Sequence, residues 1–136
     1  MPPTITTICD YCFNGCNRLF DSTNADLYKT NFFQNIISIG RNAFTTCGFI
    51  NIEFSEDLET IGINAFGSLG TASNVQNKGD RIIKIPSLKL DYDDINANTN
   101  AFQVGNRPIK VYMPKQYENQ DWKTKFNCTE VHYVDF

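Results

Sequence analysis

Apolar residues in this chain return at a fixed interval of 22 positions. Setting LYKTNFFQNIISIGRNAFTTCG (27–48) above FINIEFSEDLETIGINAFGSLG (49–70) aligns Leu27 with Phe49, Phe32 with Phe54, Ile36 with Leu58, Ile39 with Ile61 and Gly40 with Gly62, without a gap. Asn42-Ala43-Phe44 falls on Asn64-Ala65-Phe66 in the same frame. Each copy first alternates apolar with polar residues, as in Ile52-x-Phe54, which predicts a half-buried strand. A turn then leads into a short Ile-Gly-x-x-Ala-Phe segment, where Ala lets the backbone come close and Phe fills the space between layers. One copy has a single apolar face that it cannot bury alone. Stacking of successive copies is therefore required, and it produces one continuous core.

The frame recurs at both ends. ITTICDYCFNGC sets Ile5, Ile8 and Phe13 at the places of Ile36, Ile39 and Phe44, with nine extra residues before the next copy. RIIKIP sets Ile83 and Ile85 at the places of Ile52 and Phe54, again nine residues late, and TNAFQVG repeats the Ala-Phe pair at Ala101 and Phe102. A last strand-like IKVYMP (109–114) aligns Val111 and Met113 with Ile83 and Ile85. The expectation is a repeat solenoid, mainly parallel β with short helical or 3-10 turns, of four coils. Its repeat core is Phe13, Ile39, Phe44, Ile52, Phe54, Ile61, Phe66, Ile85 and Phe102.

The pattern Leu-x-x-Ile-x-Phe/Ile-(Pro/Ser)-x-x-Leu-x-x-Ile-Gly-x-x-Ala-Phe-x-x-Cys resembles the BspA-like, or Treponema pallidum-type, leucine-rich repeat. Phe49, Ile52, Phe54, Leu58, Ile61, Gly62, Ala65 and Phe66 carry the resemblance, with their counterparts one period earlier and with Cys16 and Cys47. It covers about residues 5–114 and implies a solenoid of the leucine-rich-repeat type. The tail YMPKQYENQDWKTKF resembles the ending of such arrays, which implies a C-terminal cap over about 115–136 built on Tyr117, Trp122 and Phe126, and one domain over 1–136. Because the family is populated by surface adhesins, the resemblance also implies a non-catalytic recognition or adhesion module for a protein or cell-surface partner. The chain departs from the family in having few repeats, two of them swollen by RLFDSTNAD (18–26) and approximately TASNVQNKG (71–79). It also shows no secretion signal, since MPPTITTICD has neither a charged n-region nor an apolar h-region. A short unsignalled chain equally suits the alternative of a structural component of a larger particle, such as a phage virion or fibre.

Three of the five cysteines, Cys9, Cys12 and Cys16, are crowded near the N-terminus. In the repeat frame Cys9 stands where Gly40 and Gly62 stand, Cys12 where Ala43, Ala65 and Ala101 stand, and Cys16 where Cys47 and Leu69 stand. All are small or apolar positions, so core packing accounts for the thiols. A metal site would lack its fourth ligand, no His being near. A disulfide between Cys16 and Cys47 in adjacent coils is the remaining alternative.

Composition narrows the function. With 41% hydrophobic residues, 20% charged residues and a net charge of -3, the chain has a globular composition and no basic field to recruit nucleic acid. No apolar run approaches the ~20 residues of a membrane span, so no membrane insertion is expected. No catalytic constellation, cofactor motif or metal set is expected either. The single His132 lies in the alternating TEVHYVDF, which reads as a final strand. Asp91, Asp93, Asp94, Asn96 and Asn98 offer oxygen ligands, but Thr99 and Gly105 stand where a calcium loop needs Gly and Glu. The glycosylation pattern at Asn127 to Thr129 has meaning only in a eukaryotic secretory pathway. Recognition is therefore placed on the polar insertions, with Phe20, Tyr28, Phe33, Asn74 and Asn77 as candidate contacts. Finally, an uncovered first coil would expose strand edges and an apolar cross-section, which calls for a neighbouring chain or upstream domain over that end.

Overall fold

Strands one period apart lie side by side. In the computed structural model, which describes residues 4–16, 32–47, 51–67, 81–93, 100–102 and 108–136, these are β1 (Thr7–Ile8), β2 (Ser38–Ile39), β3 (Asn51–Glu53), β4 (Thr60–Ile61), β5 (Arg81–Lys84), β6 (Ile109–Pro114) and β7 (Glu130–Val134). They form two sheets, β1-β2-β4 and β3-β5-β6-β7, in which every pairing is parallel. The chain is a repeat solenoid: each coil contributes a short rung to a sheet and turns away, so strand length is set by the turn rather than by propensity. Register follows the repeat, with Ile8, Ile39 and Ile61 in one row and Ile52, Ile83 and Val111 in another.

Between the sheets runs a column of phenylalanines. Phe13 stacks on Phe44 at 5.1 Å and 10°, Phe44 on Phe66 at 5.1 Å and 9°, and Phe66 on Phe102 at 5.4 Å and 20°. A backbone ladder holds the rings in step: the N–H groups of Phe13, Phe44 and Phe66 donate to the carbonyls of Ala43, Ala65 and Ala101 in the next coil. Those three alanines have no exposed surface. The residue before each Ala is left-handed, with φ of 54° at Asn42, 54° at Asn64 and 46° at Asn100. Asn adopts that conformation more readily than most other side chains. The first coil places Tyr11 there, at φ 60°. Tyr11→Asn should therefore stabilise the protein by roughly 0.5–1 kcal/mol, read as a higher urea midpoint at unchanged slope; a loss of stability would mean that Tyr11 makes contacts outweighing its strain.

Two expectations need correction. Phe33, taken as a partner contact, is 2% exposed and pairs with Phe54 in a parallel bridge, its ring set edge-on to Phe44 and Phe66. The ungapped alignment sets Phe32, not Phe33, on Phe54. This coil is one residue shorter between strand and turn, and a one-residue slip exchanges inward for outward positions. Phe13 is only half-buried, because a coil lies on one side of it and none among the described residues on the other.

The C-terminal segment closes the column and adds a rung. A 3-10 turn (Lys115–Tyr117) leads to α1 (Trp122–Phe126), whose first turn is capped by the Asp121 carboxylate accepting from the Thr124 N–H at 3.1 Å. Left-handed Asn127 ends it. Phe126 stands edge-on to Phe102 at 5.1 Å, and its carbonyl accepts the Phe102 N–H. Trp122 is fully buried between Tyr92, Tyr117 and Phe126. The chain then returns as β7, parallel to β6, so this segment is itself a coil and not merely a cover. Buried Tyr117 ties three coils: its hydroxyl donates to the Ser87 carbonyl at 3.1 Å and accepts the Leu90 N–H at 3.2 Å, while the Ser87 hydroxyl donates to the Leu58 carbonyl at 2.6 Å. Tyr117→Phe leaves two buried backbone groups unpaired and should cost about 1–2 kcal/mol in chemical denaturation. No change would show that solvent reaches Ser87.

Candidate recognition face

Alternation in β3, β5, β6 and β7 turns Ile52, Ile83, Val111 and Met113 inward, which leaves the intervening residues of each strand on the outer face. Register then lines them up in two rows. One row is Glu53, Lys84, Tyr112 and His132; the other is Asn51, Ile82, Lys110 and Glu130. Opposite charges stand next to each other at Glu53 and Lys84 and at Lys110 and Glu130, so the face carries local charge pattern without a net field. His132 stacks on Tyr112 at 5.0 Å and 20°, and its Nε2 lies 2.9 Å from a Glu130 carboxylate oxygen. A depression of about 350 Å³ over Asn51, Glu53, Ile82 and Lys84 marks the β3–β5 end.

Where these strands end, the turns of successive coils form a groove of about 570 Å³ beside Pro86, Leu88, Pro114 and Phe136. Leu88 and Phe136, 61% and 58% exposed, are large apolar side chains presented to solvent. Ion pairs cross the coils along the groove, Lys89 to Asp57 at 2.6 Å and Lys115 to Asp135 at 3.1 Å. All four partners are exposed, so these pairs organise the surface more than they stabilise the fold. Sheet face and groove adjoin, because Lys84, Pro114 and Val134 end the strands that feed the turns.

Of the candidate contacts, Phe20, Tyr28, Asn74 and Asn77 lie outside the described residues, as do both nine-residue insertions, and Phe33 is internal. The sheet face was missed although its signal was present: the alternation in RIIKIP, IKVYMP and TEVHYV assigns Ile82, Tyr112 and His132 outward as firmly as it assigns their neighbours inward. His132 is a surface residue paired with Glu130. In the acidic segment, Asp91 accepts the Asp93 N–H at 3.0 Å as a local turn, and Asp94, Asn96 and Asn98 lie outside the described residues. Among the described residues no cluster of three His, Cys, Asp or Glu side chains could hold a metal.

The thiols divide by position along the axis. Cys9, Cys12 and Cys16 are exposed, contrary to the packing expectation, whereas Cys47 and Cys128 are buried. Small repeat positions are buried only where a coil lies over them, and none of the described residues covers the first coil. Burial pushes the Cys47 thiol up to about 12, helped by the Cys16 thiol beside it, and burial likewise pushes Cys128 up to about 12. An alkylating reagent should thus modify Cys9, Cys12 and Cys16 in the native protein and reach Cys47 and Cys128 only on denaturation. Native labelling of Cys47 would contradict the stacking. The N-terminal end also exposes Ile5 and Tyr11, 40% and 54% exposed.

A family model described as BspA type leucine rich repeat region (6 copies) matches residues 1–69 and 18–136, together the whole chain. No curated protein and no solved structure matches it.

Proposed function

This chain belongs to the BspA-type leucine-rich repeat family, and on that premise we propose that it is a non-catalytic recognition or adhesion module binding a protein or cell-surface partner. The family is one of repeat protein-interaction modules, and the observation that carries the reading here is the outward face of β3-β5-β6-β7. That face offers a stacked aromatic pair, Tyr112 and His132, flanked by Ile82 and by alternating charges. Aromatic anchors within a patterned polar surface, held by a rigid stacked core, suit protein recognition. Beside it, Leu88 and Phe136 extend the apolar contact into the groove.

A photo-crosslinking residue placed at Tyr112 should trap a defined polypeptide that the same residue at Thr60, on the other sheet, does not. Against that purified polypeptide, Tyr112→Ala and His132→Ala should each weaken binding about tenfold or more. Unchanged affinity in both variants and in Leu88→Ser would sink the reading.

A second reading, a structural component of a larger particle, draws on a separate observation. β7 is an outer strand of its sheet, with no strand beyond it among the described residues, and the N-terminal coil exposes Ile5 and Tyr11. A free edge can accept another strand, and a neighbouring chain or upstream domain could cover the first coil. Light scattering separates the two readings: a concentration-independent monomer removes the particle and the self-association it needs.

A further inference from the structure

Thiols at equivalent positions of adjacent coils are brought together in one place among the described residues. The backbone ladder joining the first two coils sets Tyr11, Phe13 and Gly15 over Asn42, Phe44 and Thr46, because their N–H groups donate in turn to the carbonyls of Arg41, Ala43 and Thr45. The next step of the same register sets Cys16 over Cys47. Cys9 and Cys12 stand instead over Gly40 and Ala43, which carry no sulfur. The Cys47 thiol donates to the Phe13 carbonyl at 3.4 Å, and the Cys16 N–H donates to that same oxygen at 3.1 Å. Both residues are thus gathered around one acceptor. Stacked parallel strands are about 4.8 Å apart, and a disulfide asks for Cα atoms about 4.4–6.8 Å apart. The phenylalanine rings of these same two coils stack at 5.1 Å.

The geometry points to a thiol–disulfide site in which Cys16 and Cys47 form a reversible bond that staples the first coil to the second. The oxidant class is a small-molecule disulfide such as oxidised glutathione. The exposed Cys16 thiolate attacks its sulfur–sulfur bond, giving a mixed disulfide and one glutathione thiol. Cys47 then gives up its proton to solvent and attacks the Cys16 sulfur, and the second glutathione leaves as a thiol. Two protein thiols are oxidised to one disulfide while one glutathione disulfide is reduced to two thiols. The first step is open to solvent; the second is slowed at neutral pH, because burial keeps Cys47 protonated, and accelerates as pH rises. The staple acts on the least covered of the described coils, whose loosening would open the phenylalanine column at Phe13.

The test uses the full chain with its five cysteines, incubated with oxidised glutathione at several pH values, digested without reductant and analysed by mass spectrometry. The expected product is a peptide pair joined through Cys16 and Cys47, forming faster at higher pH, with a thermal midpoint raised by about 10 °C. Cys16→Ser should abolish both the pair and the shift, whereas Cys9→Ser and Cys12→Ser should leave them intact. Cys16 joined to Cys9 or Cys12, or halted as a glutathione adduct while Cys47 stays unmodified, overturns the proposal. The outcome is independent of any binding partner.

Discussion

Gly62→Ala lowers the stability of this protein by about 3 kcal/mol or more, although it adds one methyl group and leaves the backbone dihedrals accessible. A Cβ at Gly62 would lie 2.5 Å from the Arg41 nitrogen and 2.5 Å from the Gly40 carbonyl carbon. These are backbone atoms of the coil beneath, held by the Gly62 N–H bond to the Ile39 carbonyl at 2.8 Å. Relief therefore requires two coils to part, which breaks the ladder and the ring stacking together. Gly67→Ala is the matched control, since its nearest contact is 3.3 Å, and it should cost no more than about 1 kcal/mol. Equal losses in the two variants, measured by urea denaturation, would mean that the coils are not in contact at Gly62. Gly40 is under the same constraint, with the Asp10 nitrogen 2.5 Å away and the Cys9 carbonyl carbon 2.7 Å away. Cys9 occupies the equivalent position one coil earlier and keeps a side chain, because none of the described backbone lies over it.

Phe66→Ala should cost about 3–5 kcal/mol, a large share of the ~5–15 kcal/mol total of a natural domain. Phe66 has no exposed surface, stacks between Phe44 and Phe102, and receives the edges of Phe33 and Phe54 at 5.9 and 5.6 Å. Truncation opens a cavity in mid-column that the neighbours cannot fill, because each is tied to its own ladder bond. Phe66→Leu keeps most of the volume and loses the ring geometry, so its loss should be well under half as large. Phe13→Ala, at the half-buried end, should cost less than Phe66→Ala. The protein's single tryptophan, Trp122, lies in the terminal coil and reports unfolding there by fluorescence. A Phe66→Ala variant as stable as Phe13→Ala would show that the column does not bear weight in the way its stacking implies.

How much was legible in advance depended on what each residue's environment depends on. The Asn-Ala-Phe triplet was readable because every member meets a repeated need: left-handed backbone at Asn42 and Asn64, close approach at Ala43 and Ala65, a ring to stack at Phe44 and Phe66. Phe33 was misread because a local change of one residue in coil length reverses the direction of a side chain in a strand. His132 was legible as a residue of a final strand, but its pairing with Tyr112 was not, because it is visible only once β6 and β7 are known to be neighbours. The thiols were misjudged for another reason. Cys12 and Ala43 are equivalent in the repeat, yet burial also depends on what lies on the far side, and that differs between an inner coil and an outer one.

By itself, then, the order of residues determined which side chains share a column, since a period of 22 with matched apolar types leaves stacking as the way to remove their surfaces from water. Tertiary structure alone decided which members of each column are sealed and which face solvent, and which outward rows become one surface. A period is a relation between copies of a segment, whereas exposure is set by the coils above and below it and by the path of the chain between them.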